Sequence, residues 1–177
     1  MRAFAFLALA SAFACGPSGP APSTPQGTQA EAEPESGGEA SDFTLTDVDG
    51  RSVSLSDYLG KKAILIDFWA TWCKPCIAEM VHLQKIYEAK KDRFVVLAVS
   101  IDGPETEAQV APFVRSKGFT FPVLLDTETR VTSLYNPRRA APYTVLVDRR
   151  GKIVRKREGF NAGDEAQLEA DIEAASK

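Results

Sequence analysis

The run from Ile64 to Cys76, ILIDFWATWCKPC, limits this chain more than any other stretch, because it carries an apolar strand pattern directly into two cysteines three residues apart. A strand ending near Trp69 and a helix starting around Cys73 put the first sulfur at a helix N-terminus. There, unpaired backbone N–H groups and the helix dipole favour a thiolate over a thiol. Lys74 adds a positive charge beside it. One turn later Cys76 lies on the same helical face, and i, i+3 spacing brings the two Cα atoms within the roughly 4.4 to 6.8 Å that a disulfide tolerates. Pro75 has its φ already set for a first helical turn and lacks an N–H that would need a partner there. The pattern predicts dithiol–disulfide exchange, with Cys73 attacking and Cys76 resolving.

Two other uses of the pair are weaker. A tetrahedral metal site needs a second pair of ligands, and beyond the motif the chain has one further cysteine, Cys15, and one histidine, His82. No metal and no cofactor is therefore expected. A purely structural bridge gains little from closing a two-residue loop, since so short a loop hardly restricts the unfolded chain. His82 falls off the apolar stripe of its helix and is expected to be solvated.

At 177 residues the chain has room for one globular domain. Its start has the order of a secretory signal: a basic Arg2, an apolar run from Ala3 to Ala10, then small residues ahead of Cys15. That run is too short to span a bilayer. Residues 16–41 contain no Val, Ile, Leu, Met, Phe, Tyr or Trp and cannot bury apolar surface. Residues 1–14 are read as a signal peptide, 15–41 as a linker, and 42–177 as the folded domain. As a flexible coil the linker would span on the order of 28 Å and reach about 90 Å when fully extended. Charge divides at the same boundary: residues 43–177 hold 20 of the 21 Lys and Arg and 19 of the 24 Asp and Glu, a net +1. A nearly neutral domain offers no nucleic-acid footprint, and the clusters at Arg149-Arg150-Gly151-Lys152 and Arg155-Lys156-Arg157 read as a solvated hairpin face.

Within the domain, period-2 alternation at Phe43–Thr46 and Val53–Leu55 around Asp49-Gly50 predicts an opening hairpin, followed by a strand from Ala63 to Trp69. A helix from about Pro75 to Ala89 carries Cys76, Met80, Leu83 and Tyr87 on one face, leading from the cysteine pair into the core. Phe94–Ser100 is a near-continuous apolar run, as in a strand buried on both faces. Then come a helix from about Pro104 to Lys117, a short strand Phe121–Leu125 and a short helix Glu128–Tyr135. A hairpin of Tyr143–Val147 with Ile153–Arg157 follows, and a last helix is introduced by a capping-box-like Asp164 and Gln167.

These residues resemble the thioredoxin superfamily, and within it the TlpA/ResA-like branch of envelope-anchored thiol-disulfide oxidoreductases. The resemblance covers roughly residues 42–175. It rests on Phe68-Trp69-Ala70-Thr71-Trp72-Cys73-Lys74-Pro75-Cys76, on Glu79 one turn after the motif, on the hairpin before it, and on Ala141-Pro142 leading into a strand. It implies an α/β fold with a central mixed sheet flanked by helices, an N-terminal β-hairpin and a strand-helix insertion. It also implies a cis Pro142 beside the disulfide, shaping with Ala141 a groove for extended substrate backbone, to which Trp72, Lys74 and Pro75 would add the facing surface. Asp67 stands where thioredoxins carry a buried acid beneath the second cysteine. Such a carboxylate should have a raised pKa and could take the Cys76 proton. Glu79 matches an acid that this branch places below its motif, where it could tune the thiols. Val81 stands where the family often has a helix-kinking proline. Trp69 and Trp72 flank the motif and would exclude water from it. Arg138 and Arg139 precede the proline loop and could bias which substrate docks.

The resemblance further implies a monomeric protein-disulfide reductase in the cell envelope, facing the periplasm or extracytoplasmic space. Cys15 matches a lipoprotein signal, apart from Ala12 where that pattern prefers Leu, and would carry the lipid that anchors the chain to the membrane. Substrates would be protein dithiols and disulfides, with apocytochrome c as one class, and a membrane-embedded donor would return the electrons. An oxidase or isomerase of the same fold stays open, as do a thiol peroxidase and a thioredoxin-fold copper chaperone.

Overall fold

The computed structural model describes residues 37–177; the expected signal peptide, Cys15 and the linker as far as residue 36 lie outside the described residues. Two seven-residue strands form its centre, β3 (Ala63–Trp69) and β4 (Phe94–Ser100), and every residue in both is buried. They pair in parallel, from Ala63 opposite Phe94 to Trp69 opposite Ser100. Parallel strands need a crossover, and α1 (Lys74–Lys90) supplies it. A second crossover through α2 (Glu107–Lys117) sets β5 (Val123–Leu125) parallel to β4.

The opening hairpin, β1 (Thr44–Asp47) and β2 (Ser52–Ser54), adds antiparallel to the outer edge of β5. After α3 (Arg130–Tyr135), β6 (Tyr143–Val147) lies antiparallel on the free edge of β3, and β7 (Ile153–Glu158) closes that side. The mixed sheet has the order β2-β1-β5-β4-β3-β6-β7, with α4 (Glu165–Ala175) last in the chain. It is the α/β arrangement expected from the sequence. The apolar runs of β3 and β4 are continuous because neither strand has a solvent face.

The far end of the sheet, where Ile64 lies opposite Val147, receives the start of the described chain. The N–H of Ala40 donates to the carbonyl of Gly151, that of Ile153 donates to Gly38, and Glu39 bridges Lys152. The folded body thus begins a few residues before the expected boundary at 41/42. Gly151, at φ 88°, occupies the left-handed position of the β6–β7 turn.

Several details differ from the sequence reading. On α1 the buried face is Cys76, Glu79, Met80, Leu83 and Ile86, while Tyr87 is half-buried with its ring edge-on to Phe121. α2 starts at Glu107 because residues 104–106 form a turn in which the N–H groups of Thr106 and Glu107 both donate to Gly103. Asp164 does not make the expected capping box; its carboxylate accepts from the N–H of Asn161, and Gln167 donates to Asp171 instead. Arg155 and Arg157 are half-buried and both pair with Asp171 of α4, so that segment is not a solvated face. At the other end of α4, Glu173 joins the helix to Lys90 and Arg93 through three charge-assisted hydrogen bonds.

Ile66, in the middle of β3 and without solvent exposure, is the position where a truncation should cost most. Ile66→Ala is expected to lower unfolding stability by about 3 kcal/mol, read as a fall in the urea midpoint at unchanged slope.

Candidate active site

Cys73 is the N-cap residue of α1, and its sulfur accepts the N–H of Cys76 at 3.3 Å. The helix terminus is aimed at the sulfur itself, which is the arrangement that stabilises a thiolate there. The two cysteines form a disulfide with an S–S distance of 1.99 Å and a Cα separation of 5.3 Å. Cys73 keeps a sliver of exposure, 4%, whereas Cys76 has none. An incoming sulfur can therefore reach only the first of the pair.

The loop between β3 and α1 is braced from β4. Asp102, buried just past that strand, accepts the Thr71 N–H and Ser100 hydroxyl on one oxygen at 2.9 Å each and the Thr71 hydroxyl on the other at 2.6 Å. The N–H of Cys73 donates to Ala70 and that of Ile101 to Trp69, which completes the turn. Trp72 is left 61% exposed on this braced loop, beside the cysteines. Trp69 is fully buried, with its ring against Phe113, and so belongs to the core rather than to the rim of the site. α1 runs without interruption past Val81, which is solvent-exposed.

The peptide bond between Ala141 and Pro142 is cis. Since Tyr143 pairs with Phe68, Pro142 comes level with the end of β3, where the cysteine loop departs. This second loop has its own brace. Asn136, almost fully buried, donates to the carbonyl of Ala140 at 2.8 Å and accepts its N–H at 3.0 Å. Within that loop, Arg139 sits at φ 52° and Arg138 pairs with Glu158 at the surface.

On the inner side lie two carboxyl groups without solvent exposure, Asp67 of β3 and Glu79 of α1. None of their four oxygens has a hydrogen-bond partner among the described residues. Burial pushes Asp67 up to about 7. Burial also pushes Glu79 up to about 9, helped by the charge of Asp67 and opposed by that of Arg157. Glu79 lies one turn after Cys76 on α1, and carboxyl groups raised to neutrality or above can exchange a proton with a neighbouring thiol. Both acids could have pointed to solvent; neither does. Lys74 and Pro75 form the first turn of α1, directly after the capping sulfur. His82 is only half-buried, and no group of metal-binding side chains occurs among the described residues.

Asp102, Asn136 and Arg157 escape the sequence reading. Ser100-Ile101-Asp102 at the end of an apolar run and Asn136-Pro137 before the loop were the available signals.

A disulfide at a helix N-terminus, a cis-proline loop beside it and a mixed sheet behind both define a thiol-disulfide oxidoreductase of thioredoxin-like fold. The chain belongs to the AhpC/TSA family, whose sequence pattern matches residues 36–156. It is similar to the thiol-disulfide oxidoreductase ResA of Bacillus cereus, 37% identical over 120 residues that make up 68% of each chain. Among solved structures it resembles a putative thiol:disulfide interchange protein DsbE from Chlorobium tepidum, with a TM-score of 0.69 at 34% identity over 82% of this chain and 100% of that one. It also resembles the exposed lipoprotein thioredoxin of Streptococcus pneumoniae, with a TM-score of 0.62 at 32% identity over 74% and 99%.

The raised Asp67 has a consequence for stability. Between about pH 4 and 7 the folded protein binds more protons at this group than the unfolded chain does, so stability falls as pH rises through that window. Asp67→Asn removes the part of the fall that Asp67 causes and leaves that of Glu79. In the oxidised protein, the variant should match the parent near pH 4 and exceed it by on the order of 4 kcal/mol at pH 8, measured by urea unfolding at both values.

Proposed function

We propose that this protein is an extracytoplasmic reductant of protein disulfides, tethered to a membrane through a lipid on Cys15. The observation that carries the redox assignment is the asymmetry of the pair: Cys73 caps the helix and is reachable, and Cys76 is sealed behind it. The Cys73 thiolate attacks a substrate disulfide, forming a mixed disulfide and releasing one substrate thiolate. Cys76 then attacks Cys73 Sγ while its proton passes to Asp67. The Cys73–Cys76 bond forms, the bond from Cys73 to the substrate breaks, and the second substrate sulfur leaves as a thiolate. Two electrons have moved to the substrate, and both substrate thiolates take protons from solvent.

The reducing direction is supported by the two buried acids. A helix terminus alone stabilises the thiolate, hence the reduced protein, and makes a pair oxidising. Negative charge on Asp67 or Glu79 works against the thiolate and favours the disulfide, which makes the reduced pair a better electron donor. Glu79, one turn after Cys76, tunes both thiols in this way. Trp72, Lys74, Pro75, Ala141 and Pro142 form the face on which extended substrate backbone lies, with the exposed indole of Trp72 as its apolar anchor.

Protein disulfides exposed outside the cytoplasm are the substrate class, and apocytochrome c cysteines awaiting haem attachment are the leading member. A membrane-embedded dithiol donor returns the spent protein to its reduced state. The extracytoplasmic setting is supported by the secretory-type N-terminus and by the pneumococcal relative, itself an exposed lipoprotein. No helix among the described residues is long and apolar enough to cross a membrane.

Cys76→Ser expressed in the envelope should accumulate mixed disulfides on Cys73, visible as higher-mass species lost on reduction, and Cys73→Ser should accumulate none. The reverse pattern would reverse the order of attack. Equilibration of the purified domain with glutathione should place its potential near that of thioredoxin, about −270 mV. A value near −120 mV, that of the strongest oxidants, would overturn the reducing direction.

A further inference from the structure

Asp67, Thr144 and Arg157 are successive partners across three adjacent strands: Asp67 of β3 opposite Thr144 of β6, and Thr144 opposite Arg157 of β7. Partners in a ladder project from the same face of a sheet. One transverse row therefore leads from the carboxyl behind the cysteines to a guanidinium near the sheet edge. Asp171 of α4 meets Arg157 there.

The guanidinium is not used up by that ion pair. Arg155 Nε holds Asp171 Oδ2 at 2.8 Å, and Arg157 Nη2 reaches the same oxygen at 3.3 Å. Arg157 Nη1 is buried and has no acceptor among the described residues. Inward of it lie the unpartnered carboxyls of Glu79 and Asp67. The charges acting on Glu79 are Asp67 from β3, Arg157 from β7 and Asp164 from the turn before α4. Ala98, the β4 residue in the row, and Thr144 bring no charge to it. His82 stands one turn along α1 from Glu79, with Nε2 buried and without a partner. Arg157 is thus the cation whose charge acts on the buried acidic pair.

We propose that Arg157 is a positioning residue of the exchange reaction: its guanidinium holds negative charge in the Glu79–Asp67 pair, so that a carboxylate is ready when Cys76 must lose its proton. The pair can keep one proton and one charge at neutral pH only if something offsets the cost of a buried anion, and Arg157 is the cation whose charge acts on it. The proposal rests on the assignment of Asp67 as proton acceptor made under the proposed function.

Two readouts test it on the oxidised and reduced protein. Carboxyl carbon NMR follows the ionisation of Asp67 and Glu79 directly, and stopped-flow release of reduced substrate from the mixed disulfide gives the pH profile of the resolving step. Arg157→Gln and Arg157→Met should move the NMR midpoint of the pair upward by about one to three pH units, with the pH profile following. Arg157→Lys, which restores the charge, should return both to within about half a unit of the parent. Asp171→Asn should leave the midpoint in place or lower it, since it frees the guanidinium from its outer partner. An unchanged midpoint in Arg157→Gln and Arg157→Met, or a Lys variant displaced as far as the Gln variant, would overturn the proposal. A shifted midpoint with an unshifted profile would instead sink Asp67 as acceptor, which separates the two readings. If the Gln and Met variants do not fold, Arg157→Lys against Asp171→Asn still decides, because a charge effect leaves the first near the parent and a packing effect does not.

Discussion

Strand β3 is hydrogen-bonded along both edges, to β4 and to β6, and none of its residues reaches water. Its C-terminal end is consequently a fixed point: the cysteine loop departs from it, and the cis-proline loop, leading into β6, comes level with it. A carboxyl group in the middle of such a strand is held as firmly as its apolar neighbours. Asp67 cannot swing out to find solvent when it ionises, so its proton affinity responds to the chemistry beside it and not to side-chain motion.

Around that fixed point, each reactive loop has a separate brace. Asp102 spends both oxygens on Thr71 and Ser100, and Asn136 meets the N–H and carbonyl of Ala140 as a neighbouring strand would. Because the braces share no residue, the cysteines and the proline are placed independently against the same sheet. Exchange between sulfurs needs near-linear approach at close range, and loops that do not move on binding spare that approach an ordering cost.

Much of this was legible in the sequence where burial is continuous or chemistry is local. The bounds of β3 and β4 follow from unbroken apolar runs, and the relation of Cys73 to Cys76 follows from spacing within one turn. The burial of Asp67 and Glu79 was legible only through family resemblance, since an acid in a strand or on a helix says nothing by itself about the face it occupies. Arg157 was misread because a run of basic residues in a hairpin looks like a solvated face, and Asp171, which pairs with it, lies on a helix later in the chain. Asp102 and Thr71 are 31 residues apart and meet only once β3 and β4 pair. The starts of α2 and α3 were placed early because they depend on turn geometry, including Thr129 at φ 55°, that side-chain periodicity does not report.

The pairing of Gly38 and Ala40 with the β6–β7 turn gives the molecule a front and a back. The described chain enters at the Ile64 end of the sheet, roughly 20 Å along the strands from the disulfide. The described chain therefore starts at the end of the sheet opposite the sulfurs. A partner seated on the disulfide thus meets neither the β6–β7 turn nor residues 38–40 paired with it, and a bulky substrate need not disturb the point where the described chain begins.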